Sequence, residues 1–339
     1  LGNLQAKLGR TKMIEILKAN ILTIQDLGRY GYQKLGVPVS GVMDDYSARL
    51  ANFLVGNDEN RALLEFVLQG PTIKFHASSV FAVAGDVDVY LNGVKISPWK
   101  SYWAKRGDIL EVGTLKSGVY GYIAFAGGID VLKILGSAST YVRANLGNPL
   151  KAGDKLKLGY AILTGKEGKE LPEDFIPKYL NENGIRVVLG PQLEHFTEEG
   201  IDTFLSSIYE VTRNSDRMGY RLEGPKIEHS KLGADIITDA IPLGAVQVPA
   251  NGKPIIMLAD RQTTGGYAKI AVVAKVDVPR VAQTRIGGKL KFKAVDVEDA
   301  QKLLRKREML LQNLKRYLKG ELRGYKLKAL GEEFLVFVK

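Results

Sequence analysis

Short runs in which apolar and polar residues alternate recur along this 339-residue chain, punctuated by Gly, Asp or Pro, and they confine it to folds built mainly of antiparallel sheet. The clearest is Val87-Asp88-Val89-Tyr90-Leu91, then Asn92-Gly93, then Val94-Lys95-Ile96. An Asn-Gly pair supplies the two positive-φ positions that a two-residue hairpin turn needs. Further strands are expected over 14–17, 21–24, 63–68, 80–84, 109–112 and 119–126, and then over 185–189, 208–212, 236–238, 245–248, 255–259, 270–274 and 290–295. Many short strands with glycine corners, in two successive sets, predict two β domains of barrel or sandwich type.

Length supports the division, since two units of about 150 residues each are the ordinary solution for such a chain. Residues 1–12 read as an N-terminal extension, 13–164 as the first domain, the charged and proline-bearing stretch 165–184 as a connection, and 185–296 as the second domain. Helices are peripheral. Asp44 or Asp45 caps one that carries Tyr46, Leu50, Phe53 and Leu54 on one face and ends at Gly56. Asp296 caps a long basic helix with apolar positions at Ala300, Leu303, Leu304, Leu311, Leu314 and Leu318, and residues 324–339 follow as two short strands.

Hydrophobic residues at 45% and charged residues at 25% describe an ordinary globular protein. The net charge of +11 is local: fifteen basic against seven acidic residues lie from Arg285 onward, so the excess reads as a solvated face and not as a nucleic-acid footprint. No apolar run approaches the roughly 20 residues that span a bilayer, and a cytoplasmic protein is expected. The chain has no cysteine, which excludes disulfides, zinc thiolates and a thiol nucleophile. His76, His195 and His229 are scattered without ligand spacing, so no metal site is expected. Phosphate-binding, dinucleotide-binding, zinc-protease and serine-hydrolase motifs are missing, as is a biotinyl lysine flanked by methionines.

Two polar stretches remain. Ser215-Asp216-Arg217-Met218-Gly219-Tyr220-Arg221-Leu222-Glu223-Gly224-Pro225 gathers two arginines, two carboxylates and a tyrosine, and Asp260-Arg261-Gln262-Thr263-Thr264-Gly265-Gly266-Tyr267 follows an apolar strand. Arginine forks and closely approaching glycine N–H groups make an anion cradle. Asp260 or Glu223 could exchange a proton and Gln247 could orient an amide or carbonyl. A buried salt-bridge cluster tying strands together explains the same residues equally well, and their chemistry leaves both readings open.

These two stretches, the second extended back to Leu258-Ala259, resemble signatures of the allophanate hydrolase subunit 2 family. The first half is similar to the same family at Gln25-Asp26-Leu27-Gly28-Arg29, Gly36-Val37-Pro38-Val39-Ser40-Gly41-Val42-Met43-Asp44, Ala126-Gly127-Gly128-Ile129-Asp130-Val131, Leu135-Gly136-Ser137 and Thr140-Tyr141. The family contains a 5-oxoprolinase subunit, KipA regulators and the carboxyltransferase part of urea carboxylase. The resemblance implies two cyclophilin-like β-barrel domains. It also implies a partner of the KipI or allophanate hydrolase subunit 1 type, a third subunit in 5-oxoprolinase, and ATP with magnesium, bound here or by a partner, to drive opening of the 5-oxo-L-proline lactam to L-glutamate. Biotin enters under the alternative, a carboxyltransferase supplied by another polypeptide; a KipA-type regulatory binding protein is the non-enzymatic alternative.

On this resemblance Arg217 and Arg261 are expected to clamp anionic oxygens, with Thr263, Thr264, Gly265 and Gly266 positioning the same group and Asp260 or Glu223 handling the proton. Tyr220, Arg221, Gln247, Gln262 and Tyr267 are expected to line the substrate site. Asp44 and Arg143 are expected to close it from the other domain, against the simpler readings of Asp44 as a helix cap and Arg143 as a surface pair.

Overall fold

The structure, a computed structural model, describes residues 12–179, 184–329 and 332–338. The expected extension up to residue 11 and positions 180–183 of the expected connection lie outside the described residues. The chain is mainly β with peripheral helices, as the alternating patterns require, and its two halves close differently.

The first half is two sheets face to face, one of six strands and one of five. Asn92 and Gly93 both have positive φ, 52° and 76°, and join Val87–Leu91 to Val94–Ile96 in the register Leu91 to Val94. Between the sheets lie Ile14, Ile16, Phe66, Phe75, Phe81 and Phe125, all withdrawn from solvent. Ser79–Ala84 and Tyr120–Phe125, adjacent in the five-stranded sheet, are buried on both faces. Phe81, Val83, Ile123 and Phe125 face the sandwich, while Val80, Ala82, Ala84, Tyr122 and Ala124 face the other way. This double burial accounts for their near-continuous apolar sequence.

Onto the small residues of that outer face packs the helix Asp45–Leu54. Asp44 is its cap, accepting from the Ser47 N–H at 3.0 Å, and Leu50, Phe53 and Leu54 are buried beneath it. Each such side chain contributes about 1.5–3 kcal/mol of apolar burial.

The second half is a closed barrel of seven strands, in the order Ile185–Leu189, Lys269–Val273, Ala245–Gln247, Ile255–Met257, Gly219–Glu223, Ile208–Val211 and Lys289–Ala294. The last strand returns parallel to the first, Ile185 opposite Phe292, and closure removes both sheet edges. The helix Glu198–Ser206 packs Phe204 flat on Phe292, with ring centroids 4.4 Å apart. A separate ribbon, Asp235–Ala240 with Thr264–Tyr267, stands outside the barrel.

The two halves share one apolar core. It runs from Met43, Leu50 and Tyr122 through Leu171 to Val187, Tyr220, Leu258 and Val281. The helix Val297–Leu318 joins it through Leu311, Leu314 and Leu318. Arg307 of this helix is buried and forks onto Asp45 at 2.8 and 3.1 Å, so it belongs to the packing and not to the solvated basic face. In return Arg49 forks onto Glu308 at 2.8 and 2.7 Å. The C-terminal hairpin Arg323–Ala329 and Glu332–Val338 adds Phe337, stacked on Phe175. Among the described residues no helix is long and apolar enough to cross a membrane.

Candidate functional site

The strand Gly219–Glu223 alternates strictly: Tyr220 and Leu222 point into the barrel, Arg221 and Glu223 outward. The outward residues line a groove of about 660 Å³ with Arg143, Asp216, Gln247, Gln262, Lys253 and Tyr267. Arg143 comes from the first half and pairs with Asp216 of the second at 2.9 Å, so it closes one side of the groove across the seam. The Gln247 side-chain amide donates to the Tyr267 carbonyl at 3.3 Å from the buried barrel wall. On the rim, Lys253 donates to Glu223 and to the Gly224 carbonyl, and this hydrogen bond holds the Glu223 carboxyl below its usual range. Arg221 has no carboxylate within salt-bridge distance among the described residues; its guanidinium is available to a ligand. Of the residues expected from sequence, the groove therefore unites Arg221, Glu223, Gln247, Gln262, Tyr267 and Arg143.

The others lie elsewhere. Arg217 sits where the halves meet, donating from Nε to Asp260 at 2.8 Å, from Nη2 to Asp260 at 3.1 Å and to the Gly41 carbonyl at 2.5 Å, and from Nη1 to Glu65. Burial alone would lower its pKa, but Glu65 and Asp260 outweigh it and raise it, so the cation is fixed. Its guanidinium is occupied by protein carboxylates and is not an open clamp. Asp260 also accepts from the Ser40 hydroxyl at 2.6 Å. Glu65 accepts from the Met43 N–H at 2.8 Å and the Tyr122 hydroxyl at 3.0 Å, and complete burial raises its pKa. Sequence gives no role to Ser40, although it lies in the family-like stretch from Gly36 to Asp44, or to Glu65, because each is remote in the chain from its partner.

Tyr220 is inside the barrel, its hydroxyl donating to the Ala282 carbonyl at 2.6 Å. Asp44 is fully buried as the helix cap; desolvation raises its pKa despite hydrogen bonds from Tyr179, Gln283 at 2.9 Å and Ser47. Gly265 and Gly266 lie in the strand Thr264–Tyr267, with Thr264 opposite Ala240, and the Thr263 carbonyl accepts from the Ile241 N–H at 3.0 Å. These backbones are tied into the outer ribbon and not gathered in a loop. Arg261 turns away from the groove into a different cavity, at the seam.

A two-sheet half joined to a closed barrel through one core, with a polar groove at their junction, is the architecture of a carboxyltransferase-type domain pair. Residues 35–294 match the family described as carboxyltransferase domain, subdomain A and B, and the chain belongs to that family. It is 36% identical over 310 residues to a 5-oxoprolinase subunit of Haemophilus influenzae, covering 90% of this chain and 98% of that protein. The corresponding Escherichia coli protein is 32% identical over 308 residues, with 89% and 97% covered. Among solved structures, the urea amidolyase of K. lactis superposes with a TM-score of 0.84 at 32% identity, over 90% of this chain and 20% of that one. A structure titled TTHA0988 superposes with a TM-score of 0.77 at 35% identity, and this chain spans 56% of it.

Proposed function

We propose that this chain is a subunit of a 5-oxoprolinase, an ATP-dependent amide hydrolase that opens 5-oxo-L-proline to L-glutamate in the cytoplasm. The observation that carries this reading is the likeness to the Haemophilus influenzae 5-oxoprolinase subunit along nearly its whole length. The groove is consistent with it, being large enough for a small molecule. Arg221 presents a planar fork that suits the substrate carboxylate. Gln247 and Gln262 offer amides that match the lactam in donor and acceptor. Lys253 is the cation placed to offset charge developing on the lactam oxygen, and Glu223, a carboxylate held by Lys253, is the proton acceptor on the rim.

ATP is called for because the lactam is a stable amide. Two parts of the expected anion cradle are not free for a nucleotide. Gly265 and Gly266 are tied into a β ribbon, and Arg217 is filled by Glu65 and Asp260. We therefore assign nucleotide and magnesium to partner subunits, a KipI or allophanate hydrolase subunit 1 type protein and the third 5-oxoprolinase subunit. Activity then belongs to the complex.

A second reading, biotin-dependent carboxyl transfer, is favoured by the close superposition on urea amidolyase. It requires carboxyl-biotin from another polypeptide. The deciding experiment measures glutamate release from 5-oxoproline by this chain with its natural partners. ATP-dependent release is expected, and Arg221→Ala should lower kcat/KM by roughly 100-fold, equivalent to the 2–3 kcal/mol of a charged hydrogen-bonded contact, while the complex still assembles. A complete wild-type complex that releases no glutamate, but responds to free carboxyl-biotin, would move the assignment to carboxyl transfer.

A further inference from the structure

Arg261 is buried, at 7% exposure, without a counter-charge. Its Nε donates to the Ile241 carbonyl at 2.9 Å and Nη1 to the Leu258 carbonyl at 3.3 Å, and Nη2 is not used by either bond. Among the described residues no carboxylate stands within salt-bridge distance of it. Arg49 and Arg307, equally deep, and the partly buried Arg217 each hold one or two carboxylates. Arg29, also held by carbonyls, feels both Asp26 and Asp260, whereas burial lowers the Arg261 pKa with only Tyr30 opposing it. Burying an uncompensated guanidinium is costly, and such a group is retained where an anion arrives.

The space it faces supports this. Arg261 lines a cavity of about 400 Å³ at the seam, walled by Val39, Val42, Leu243, Ala259 and Val278. The lining carboxylates are already engaged, Asp45 by Arg307 and both Glu59 and Glu308 by Arg49. Ser40, on the same wall, is a non-glycine residue at φ 56° and bonds Asp260, so the cavity borders the Arg217 cluster. The exposed Lys275 stands at the mouth, with no carboxylate at salt-bridge distance among the described residues.

We infer that this seam cavity is a second binding site, separate from the groove, for a small molecule with a compact apolar body and one oxyanion head, a carboxylate or a phosphate monoester, gripped by Arg261. Its occupant touches the first half through Val39 and Val42 and the barrel through Leu243 and Ala259. The inference does not rest on the 5-oxoprolinase reading.

Isothermal titration of the full chain with cyclopentanecarboxylate, cyclopentyl phosphate and neutral cyclopentanecarboxamide tests it. One or both anions should bind, and the carboxamide should bind at least 10-fold more weakly; which anion binds better identifies the head group. Arg261→Lys, which keeps the charge and guards against misfolding, should weaken binding about 10-fold, the size of one charge-assisted hydrogen bond. Leu243→Trp should abolish binding by filling the cavity, and Arg221→Ala should leave it unchanged. Failure of both anions to bind wild type overturns the proposal, as does anion binding that survives Leu243→Trp or disappears in Arg221→Ala.

Discussion

Arg217 holds two carboxylates that would otherwise be buried without a counter-charge, so the two ends of this cluster respond unequally to substitution. Arg217→Met leaves Glu65 and Asp260 facing each other's charge in a dry site and should cost about 4 kcal/mol, as breaking a buried pair does. Glu65→Gln retains an acceptor for the Met43 N–H and removes a carboxyl whose burial already raises its pKa; about 1 kcal/mol is expected. Urea denaturation at pH 7 measures both, and an equal loss would refute the charge balance described. Asp277 gives the pH counterpart. Burial would raise its pKa, but hydrogen bonds from Arg186 at 2.8 and 2.6 Å outweigh this and hold it low. A depressed carboxyl pKa stabilises the fold fully above the ordinary Asp value of about 4 and stops doing so as pH falls through the folded value. The stability gap between wild type and Asp277→Asn should therefore be constant from about pH 7 to 5 and close below about pH 4.

At the scale of elements, the helix Asp45–Leu54 depends on a cap that also serves its neighbours. Asp44 accepts from Ser47, Tyr179 and Gln283, and Gln283 in turn accepts from the N–H groups of Val119 and Tyr120 at 2.7 and 2.9 Å. Asp44→Ala should cost about 2 kcal/mol, the upper end for a lost cap, because donors are left unpaired with it; thermal melting reads the loss. Elements governed by local rules were legible in the sequence. Asn92-Gly93 announced its hairpin, Asp44 its helix, and the leucine spacing after Asp296 the C-terminal helix. Gly219–Glu223 does not stand out as a strand in the sequence, because Arg221 and Glu223 mask the alternation of Tyr220 and Leu222. The helix Glu198–Ser206 is not evident from the sequence, although Thr197 caps it at the Gly200 N–H, because its apolar side rests on few residues. Of the site, residue types were legible but not their distribution. Which side chain meets Glu65, the groove or the seam is decided by pairings between residues remote in the chain, 152 positions apart for Glu65 and Arg217 and 73 for Arg143 and Asp216.

For the whole molecule, the shared core is the dominant fact. Because the helix Asp45–Leu54 is covered by the five-stranded sheet on one side and by the C-terminal helix on another, neither half buries all of its apolar surface alone. Calorimetry should show one transition with calorimetric and van't Hoff enthalpies in agreement, and residues 185–296 expressed alone should bind hydrophobic dyes strongly. Two separate transitions would contradict a common core. The turn after Ile255–Met257 condenses the same logic into three positions: Asp260 enters the Arg217 cluster, Arg261 the seam cavity and Gln262 the groove. Its spacing is thus a reading frame. Substituting one of the three alters one compartment, whereas inserting or deleting a single residue reassigns all of them at once, so variants of this protein can differ in what the turn says but not in how long it is.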